Sequence, residues 1–396
     1  MLKNTSMPGK PEKPHLQVEL CHSLAEVKES EWDSLGDTDY PFTRHAFLYG
    51  LEKFDCLEPF GWHPVYFLIR ENRQLLAALP CYIKTNSYGE LVFDHAWVQA
   101  YNRSGLEYYP KLVSAIPYTP ATGPRFLIDL SLAPDAESAD RLRQQLCRAA
   151  IAFCEKHGLS SWHILFPESS ILKSLESHHI MPRCDIQYHW ENHGYEDFDA
   201  FLATLRSRKR KNIRKERDTA QRQGFDIRMH AGGELNEADW HNVHRLYASI
   251  YDRKYGTATL SREFFQHLGK ALKNQVLVVL VRDQGRIIAT SLFFRSKSHL
   301  YGRVWGSEGY THHLHFECCY YQGIDYCIEN QLAWFDPGAQ GEHKISRGFL
   351  PTRTWSGHWI AQPQFREAIA SFLQQERRHI ELYQTQLMEH SPYRGR

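Results

Sequence analysis

The order of strands and helices predicted from the sequence repeats once along the chain. In the first half, an alternating strand precedes helices near residues 26–35 and 43–54, an antiparallel strand pair, a helix and further strands. From about residue 193 the order returns as a strand, two helices, three antiparallel strands, a helix and a strand. Period-two patterns indicate strands and 3.6-residue patterns indicate helices. The sequence therefore predicts a mixed α+β fold of two similar units, each a mostly antiparallel sheet flanked by helices.

The length of the chain agrees with this repeat. It has 396 residues, whereas single hydrophobic cores stop growing at about 250–300 residues. We expect a first domain over residues 16–192, with a tyrosine-rich loop over 86–124, and a second over 193–362. Residues 1–15 are polar and rich in proline, which predicts a disordered tail, and residues 363–396 predict a long C-terminal helix.

The composition excludes several classes of protein. A net charge of +1 predicts neither a nucleic-acid nor a membrane partner, so any electrostatic function depends on local clusters. Nine cysteines at irregular spacing, without a CxxC pair, predict reduced thiols and no metal site. The sequence lacks an apolar run of about 18 residues and the apolar core of a signal peptide. We therefore expect a cytoplasmic protein without a membrane span.

A glycine-rich stretch, GAQGEHKISRGFLPTRTWSGHW (residues 338–359), joins two predicted strands and carries a cluster of ionisable side chains. Glu342 and His343 are candidates for proton transfer, since an imidazole titrates near neutral pH. Arg347 would hold a phosphate or carboxylate with its planar guanidinium group. The glycines would let the backbone approach a ligand closely. The alternative interpretation is a surface loop with solvated charges.

A second candidate cluster, LHFECCYYQG, begins the helix after the predicted strand HLYGRVWGS. Glu317 lies near the start of this helix, where the helix dipole stabilises a carboxylate. It is a candidate general base or a partner that orients His315, which we assign to substrate binding. The alternative is a capping carboxylate ahead of a core helix.

A third group combines the segment YDRKYG with the strand before that helix. Asp252 and Arg253 end a predicted helix and are candidates for substrate binding. Tyr301, Arg303 and Trp305 alternate along the strand, so we expect all three to face one side. This face is either a binding wall or a solvent-facing patch.

The tyrosine-rich loop and the end of the preceding strand form a fourth group. Long loops with aromatic side chains commonly bind ligands. The alternative is a loop that packs on its own rings. The candidates are Tyr82, Lys84, Tyr88, Glu90, Asp94, Trp97, Tyr101, Tyr108, Tyr109 and Lys111.

A basic run, RSRKRKNIRKER, is the fifth candidate. It places eight basic residues and one acidic residue on a predicted helix, and such runs bind phosphates. The alternative is the solvated face of an amphipathic helix. The candidates for anion or nucleic-acid binding are Arg208, Lys209, Arg210, Lys211 and Arg214.

The chain resembles the FemAB-like family, associated with peptidoglycan biosynthesis or recognition and related to the FemABX aminoacyltransferases. The matching segments run nearly end to end and include PFTRHAFLYGLE, GLEYYPKL, IPYTPATGPR, LRSRKRKNIRKER, GRVWGS, LHFECCYYQGIDY and GAQGEHKISRGFLP. The resemblance implies two tandem domains of the GNAT (N-acetyltransferase) type and a C-terminal helix that packs back on the first. It also implies transfer of an aminoacyl or acyl group to an amine acceptor, for which a peptidoglycan precursor is the candidate.

Under this resemblance Lys344 is the candidate that polarises the carbonyl or phosphate of the acyl donor. The donor would be aminoacyl-tRNA or acyl-CoA, with no permanently bound cofactor. The link EGYTHHLHFE lacks the spaced glycines that cradle the pyrophosphate of CoA, which favours aminoacyl-tRNA. A CoA-dependent N-acetyltransferase and a non-catalytic protein that recognises a cell-wall precursor remain alternatives, and the oligomeric state is left open.

Overall fold

The computed structural model of the chain describes residues 17–36, 39–133, 135–253 and 256–395. The predicted tail over residues 1–15 lies outside these ranges. Within them the protein has the predicted mixed α+β fold, in which helices flank one large sheet. Among the helices of these ranges, none is both long and apolar enough to cross a bilayer.

Thirteen strands form the sheet within the described part of the chain. They are β1 (Gln17–Cys21), β2 (Trp62–Glu71), β3 (Gln74–Lys84), β4 (Lys111–Ser114), β5 (Leu127–Ile128), β6 (Ser161–Leu165), β7 (Met181–Glu191), β8 (Asp226–Ala231), β9 (Val276–Asp283), β10 (Arg286–Arg295), β11 (His299–Ser307), β12 (Trp334–Asp336) and β13 (Leu350–Ile360).

The α-helices vary from single turns to a helix of 27 residues. They are α1 (Glu29–Trp32), α2 (His45–Lys53), α3 (His95–Arg103), α4 (Ala136–His157), α5 (Ser169–Ser174), α6 (Phe198–Ala203), α7 (Ser207–Gln221), α8 (Glu237–Asp252), α9 (Arg262–Leu272), α10 (Leu314–Phe316), α11 (Gln322–Glu329) and α12 (Pro363–Glu389). A π-helical turn, Glu317–Tyr321, joins α10 to α11, and a 3₁₀ turn, Glu342–Arg347, precedes β13.

The strand order is β1-β2-β3-β4-β6-β13-β7-β12-β11-β10-β9-β8, with β5 paired to β3. The pairs β4–β6 and β11–β12 are parallel, whereas the other neighbours are antiparallel. Each half of the chain thus contributes one parallel pair to a mostly antiparallel sheet.

The strand β13 lies between β6 and β7 although it comes from the end of the chain. β7 in turn pairs with β12, so strands from the two halves alternate at the middle of the sheet. The predicted boundary near residue 192 therefore does not interrupt the sheet, because hydrogen bonds continue across it.

One apolar core also spans both halves. The rings of Phe42 and Phe47, from the first half, pack against Phe264, Phe294 and Tyr301 of the second. Large buried rings contribute strongly to packing energy, so this core ties the halves together.

The C-terminal helix α12 packs on elements of the first half. Ile369 and Leu373 join a core with Trp97 and Tyr101 of α3. The carboxylate of Glu376 pairs with Arg183 on β7 at 2.7 Å. Beyond the helix, Tyr393 donates a hydrogen bond to the carbonyl of Gly348, so the chain end also contacts the second half.

The structure differs from the predicted elements in several places, two of which concern candidate residues. The loop predicted over 86–124 contains helix α3 and strand β4, since HAWVQAYNR buries two aromatic rings on one helical face. The long helix predicted from Phe198 is divided into α6 and α7. Between them Leu205 pairs with Tyr393, and the amide of Arg206 donates to the Pro392 carbonyl, which replaces the helical bonds.

Candidate functional site

The parallel strands β11 and β12 separate at the point where the candidate residues of the second half converge. Their pairing ends at Tyr301 and Asp336, while β11 continues to Ser307. A bulge in β11 shifts its register against β10 between Leu292 and Phe293. The two strands therefore part beyond this point, and Arg303 and the turn after β12 lie where they separate.

The bulge contradicts the prediction that Tyr301, Arg303 and Trp305 share one face. Tyr301 packs in the core against Phe42, whereas Trp305 lies against His315 beside the other core. One extra residue in a strand moves all later side chains to the opposite face. The prediction was wrong because strict alternation assumes an unbroken strand.

Arg303 occupies the bulge and points toward the end of β12. Its guanidinium donates to Asp336 Oδ2 at 2.7 Å and to the Gly302 carbonyl at 2.9 Å. Its Nε atom is buried and has no hydrogen-bond partner among the described residues. Burial and Arg303 act in opposite directions on Asp336, and the net result is a lowered pKa.

Lys344 lies in the 3₁₀ turn after β12 and is only 3% exposed. Its ammonium donates to the Gly338 carbonyl at 2.6 Å and the Pro337 carbonyl at 3.4 Å. Burial lowers the pKa of Lys344 to about 8, although Asp336 opposes the shift. Such an ammonium is a poised donor toward a developing negative charge, since its hydrogen bonds reach only neutral carbonyls.

Two glycines shape this turn. Gly341 precedes it with φ 116° and Gly348 follows it with φ 99°. Backbone in this region favours glycine because a Cβ atom is strained there. The glycine-rich crossing predicted between two strands is thus confirmed, and its spacing sets the position of Lys344 between the two glycines.

Two imidazoles lie close to Lys344. His315 packs edge-on against Trp305, and burial together with His343 and Lys344 lowers the pKa of His315 to about 4. Burial, Arg347 and Lys344 also lower the pKa of His343, whose Nε2 lies 2.9 Å from the Tyr320 hydroxyl. Both rings are therefore neutral at pH 7 and can accept a proton.

The acidic candidates Glu317 and Glu342 have other partners. Glu317 is buried, and both its oxygens receive hydrogen bonds from Arg217, with a further bond from Gln322. Glu342 accepts a hydrogen bond from Tyr383 of α12 at 2.5 Å. The structure therefore places Glu317 in an ion pair rather than beside Lys344.

Helix α7 is joined to this region by its inward-facing residues. Glu216 receives two hydrogen bonds from Arg347, and Arg217 pairs with Glu317 and Asp325. The guanidinium of Arg347 also lies 3.5 Å from the centre of the Phe316 ring. Arg347 thus connects α7 to the turn that carries Lys344.

The outward face of α7 carries a basic groove of about 490 Å³. Its lining residues recur at helical spacing and so lie along one face of the helix. They are Ser207, Arg210, Lys211, Arg214, Lys215, Asp218, Thr219 and Arg222. Of the predicted anion-binding residues, Arg208 and Lys209 lie outside this lining, and Arg214 pairs with Asp199.

The candidates of the segment YDRKYG, Asp252 and Arg253, lie at the end of α8. Arg253 donates to the carbonyls of Ser249 and Ser307, and so holds the end of α8 against the end of β11. Asp252 is exposed beside it. A separate groove of about 710 Å³ is lined by the chain that follows α2, by α8 and by the segment that leads into α9, and Lys344 is not part of its lining.

The first half contains a second buried cluster around Lys111. Its ammonium bonds to Glu90 at 2.8 Å and Asp94 at 2.5 Å. Burial alone would lower the pKa of Lys111, but the two carboxylates outweigh it and raise the pKa. Of the aromatic candidates, Tyr82, Trp97, Tyr101 and Tyr108 are buried, Tyr109 is half-buried and Tyr88 is exposed.

A chain of hydrogen bonds extends this cluster through residues that sequence reasoning missed. Tyr108 donates to Asp94 and lies 3.0 Å from His163, whose Nδ1 lies 2.7 Å from Nδ1 of His358. His163 and His358 are opposite each other on β6 and β13. The two histidines are far apart in the sequence, so their contact could not be predicted from it. The segments SWHIL and WSGHW indicate only that each histidine lies in a strand.

Within the described residues, histidine, cysteine and carboxylate side chains form no cluster that could hold a metal ion. No curated protein sequence matches the chain significantly. The chain shares its fold with a crystal structure of FemX, with a TM-score of 0.50 and 11% identity over 89% of this chain and 100% of that one.

Two further solved structures are similar at lower scores. L-PGS from Bacillus licheniformis has a TM-score of 0.47 and 9% identity, over 82% of this chain and 95% of that one. A tandem GNAT protein from the clavulanic acid biosynthesis pathway has a TM-score of 0.41 and 11% identity, over 88% and 99%. A family model matches residues 23–395, and the chain therefore belongs to the FemAB-like family of peptidoglycan biosynthesis or recognition.

Proposed function

We propose that the chain is an aminoacyltransferase that moves an aminoacyl group from an aminoacyl-tRNA to an amine of a peptidoglycan precursor. One observation supports this donor above the others. Helix α7 turns Glu216 and Arg217 inward to the Lys344 region and presents its basic groove outward. A tRNA bound in that groove would therefore contact α7, the same helix that contacts the proposed reaction centre.

In this proposal Lys344 and Arg303 face the carbonyl of the donor ester. The acceptor nitrogen attacks the ester carbon, and negative charge develops on the carbonyl oxygen. The ammonium of Lys344 and the free Nε of Arg303 donate hydrogen bonds to this oxygen, an arrangement that contributes about 3–4 kcal/mol per donor in other enzymes. The C–N bond forms, the ester C–O bond breaks, and the tRNA hydroxyl leaves with a proton.

His343 is the proposed proton acceptor. Its imidazole is neutral at pH 7 because burial and the neighbouring cations lower its pKa. It can therefore take a proton from the attacking amine and return one to the leaving hydroxyl. Glu342, in the same turn, would act through Tyr383 by holding the turn in place.

Binding of tRNA to the full chain, measured by fluorescence anisotropy at several salt concentrations, tests the donor. The variant Arg210→Ala/Lys211→Ala/Arg214→Ala should bind more weakly and reduce the salt slope by about 2–3, since each lost phosphate contact removes about 0.9. The control Arg148→Ala/Lys156→Ala/Lys173→Ala removes the same charge from exposed positions elsewhere and should leave the slope unchanged.

Transfer of a labelled aminoacyl group to an amine-bearing precursor peptide tests the chemistry. Lys344→Met should abolish transfer and keep tRNA binding. Stabilisation by acetyl-CoA alone would replace this proposal with a CoA-dependent N-acyltransferase. Binding of the precursor without transfer from either donor would support the non-catalytic recognition protein instead.

A further inference from the structure

Three side chains form a buried row across the sheet of the first half. Trp62 lies opposite Lys84, and Lys84 lies opposite Lys111, on the neighbouring strands β2, β3 and β4. Both lysines are inaccessible to solvent. Like charges directly opposite each other repel, so this row requires negative partners.

Among the described residues, only one of the two lysines bonds to negatively charged partners. Lys111 bonds to the carboxylates of Glu90 and Asp94. Lys84 instead donates to the Tyr88 carbonyl at 3.1 Å and to Asn86 Oδ1 at 3.5 Å, and it lies 3.8 Å from the centre of the Trp62 ring. Burial lowers the pKa of Lys84 to about 7, which agrees with a cation that lacks a carboxylate bond.

Two buried polar atoms beside Lys84 are unpartnered. The Oε1 atom of Glu90 and the Nε1 atom of Trp62 form no hydrogen bond within the described ranges, although Glu90 is only 4% exposed. Burial also raises the pKa of Glu90 to about 7. Buried polar groups are nearly always bonded, so a free acceptor, a free donor and a cation in one region indicate a missing ligand.

The chain between β3 and α3 covers this region, and we call residues 86–94 the flap segment. It supplies the Tyr88 carbonyl that holds Lys84. Its outer side exposes large apolar side chains of Tyr88, Leu91 and Phe93. Glu90 belongs to the same segment and is held by Lys111, so a ligand anion would replace only the Tyr88 carbonyl at Lys84.

We propose that the flap segment covers a second ligand site, which binds an ammonium group and a nearby carboxylate of one ligand. Glu90 Oε1 accepts a hydrogen bond from the ammonium. Lys84 Nζ and Trp62 Nε1 donate hydrogen bonds to the carboxylate. An amino acid or a short peptide end has this chemistry, and in this respect the inference rests on the proposed function, because such a ligand is an amine acceptor.

Titration of the full chain with glycylglycine, followed by saturation-transfer NMR and calorimetry without any acyl donor, tests the site. Wild type should bind glycylglycine, and both N-acetylglycylglycine and glycylglycine amide should bind about tenfold or more weakly, because each lacks one charged group. Glu90→Gln and Lys84→Met should weaken glycylglycine binding to the same extent. Glu137→Gln and Lys156→Met change exposed residues of α4 and should bind as wild type does.

Equal binding of the acetylated peptide, full binding by Glu90→Gln, or absence of binding by wild type would each overturn the site and leave a buried water as the partner of these atoms. If Glu90→Gln fails to fold, Lys84→Met carries the test, since it removes a buried cation without a carboxylate partner. Dipeptide binding without aminoacyl transfer would overturn the proposed function alone. Transfer without dipeptide binding would overturn only this second site.

Discussion

Lys111 and Lys344 both lie buried beside a parallel strand pair, but their electrostatic surroundings are opposite. Lys111 begins β4 and bonds to two carboxylates, which raise its pKa. Lys344 follows β12 and bonds to two backbone carbonyls, so burial dominates and its pKa falls to about 8. The comparison shows that burial alone does not identify a reactive lysine, since the partner of the ammonium decides whether its charge is neutralised or remains available.

The same contrast separates the two arginines of these regions. Arg125 is buried in the first half, where its guanidinium bonds to the carbonyls of Leu165, Ala121 and Gly123 and fills the space beside β6. Arg303 in the second half keeps a free Nε atom next to Asp336. Arg125 thus uses its donors on the chain itself, whereas Arg303 keeps one donor unused.

The largest expected effect is on stability at Lys111. Lys111→Met leaves the buried carboxylates of Glu90 and Asp94 without their cation, and breaking such a pair costs about 3–5 kcal/mol. Urea denaturation at pH 7 should show this loss for Lys111→Met. Lys344→Met, the matched control, should lose far less, because it removes a buried charge that has no carboxylate bond. Equal losses in the two variants would contradict the comparison.

These regions also show how far sequence reasoning reaches. Residue type and local periodicity predicted the repeated order of elements, the glycine-rich stretch at residues 338–359 and the candidacy of Lys84 and Lys111. The candidacy of Lys344 came from the resemblance to the FemAB-like family. These features depend on short stretches of chain. The bulge at Arg303 was missed, since one inserted residue reverses the facing of every later side chain without changing the sequence pattern.

Sequence reasoning also missed contacts between residues that are far apart in the chain. Glu317 was a candidate base, but its bond to Arg217 spans 100 residues. The insertion of β13 between β6 and β7 brings His358 to His163, which lies 195 residues earlier. Pairing of this kind depends on topology, and a single sequence contains no local signal for it.

The second prediction concerns the pH dependence of stability that the buried pair His163 and His358 should cause. Burial and the nearby cations Lys111 and Arg183 hold the pKa of His163 and His358 well below the usual range, and Asp94 and Tyr108 also face the pair. The folded state therefore excludes protons that the unfolded chain binds below about pH 6.5. Stability should fall with decreasing pH there, by up to about 1.4 kcal/mol per pH unit for each ring.

Denaturation curves from pH 7.5 downward check this expectation. The variant His163→Asn/His358→Asn keeps an amide near each Nδ1 atom but does not titrate, so its stability should depend less on pH than that of wild type. His179→Asn is the control, because His179 is exposed and has φ 60°, which asparagine tolerates. A double variant with the same pH dependence as wild type would show that the pair does not titrate on unfolding.

The smallest predicted effect returns to Lys344 and lies at alkaline rather than acidic pH. Its pKa in the folded state, about 8, lies below the ordinary lysine value of about 10.4, so in this range the unfolded chain binds a proton that the folded chain has released. Wild type should therefore gain stability relative to Lys344→Met as pH rises through this range. The difference in unfolding free energy between the two proteins, measured at several pH values, isolates this group from the buried tyrosines. A difference that does not change with pH would mean that Lys344 keeps an ordinary pKa, and its carbonyl partners would then not distinguish it from a solvated lysine.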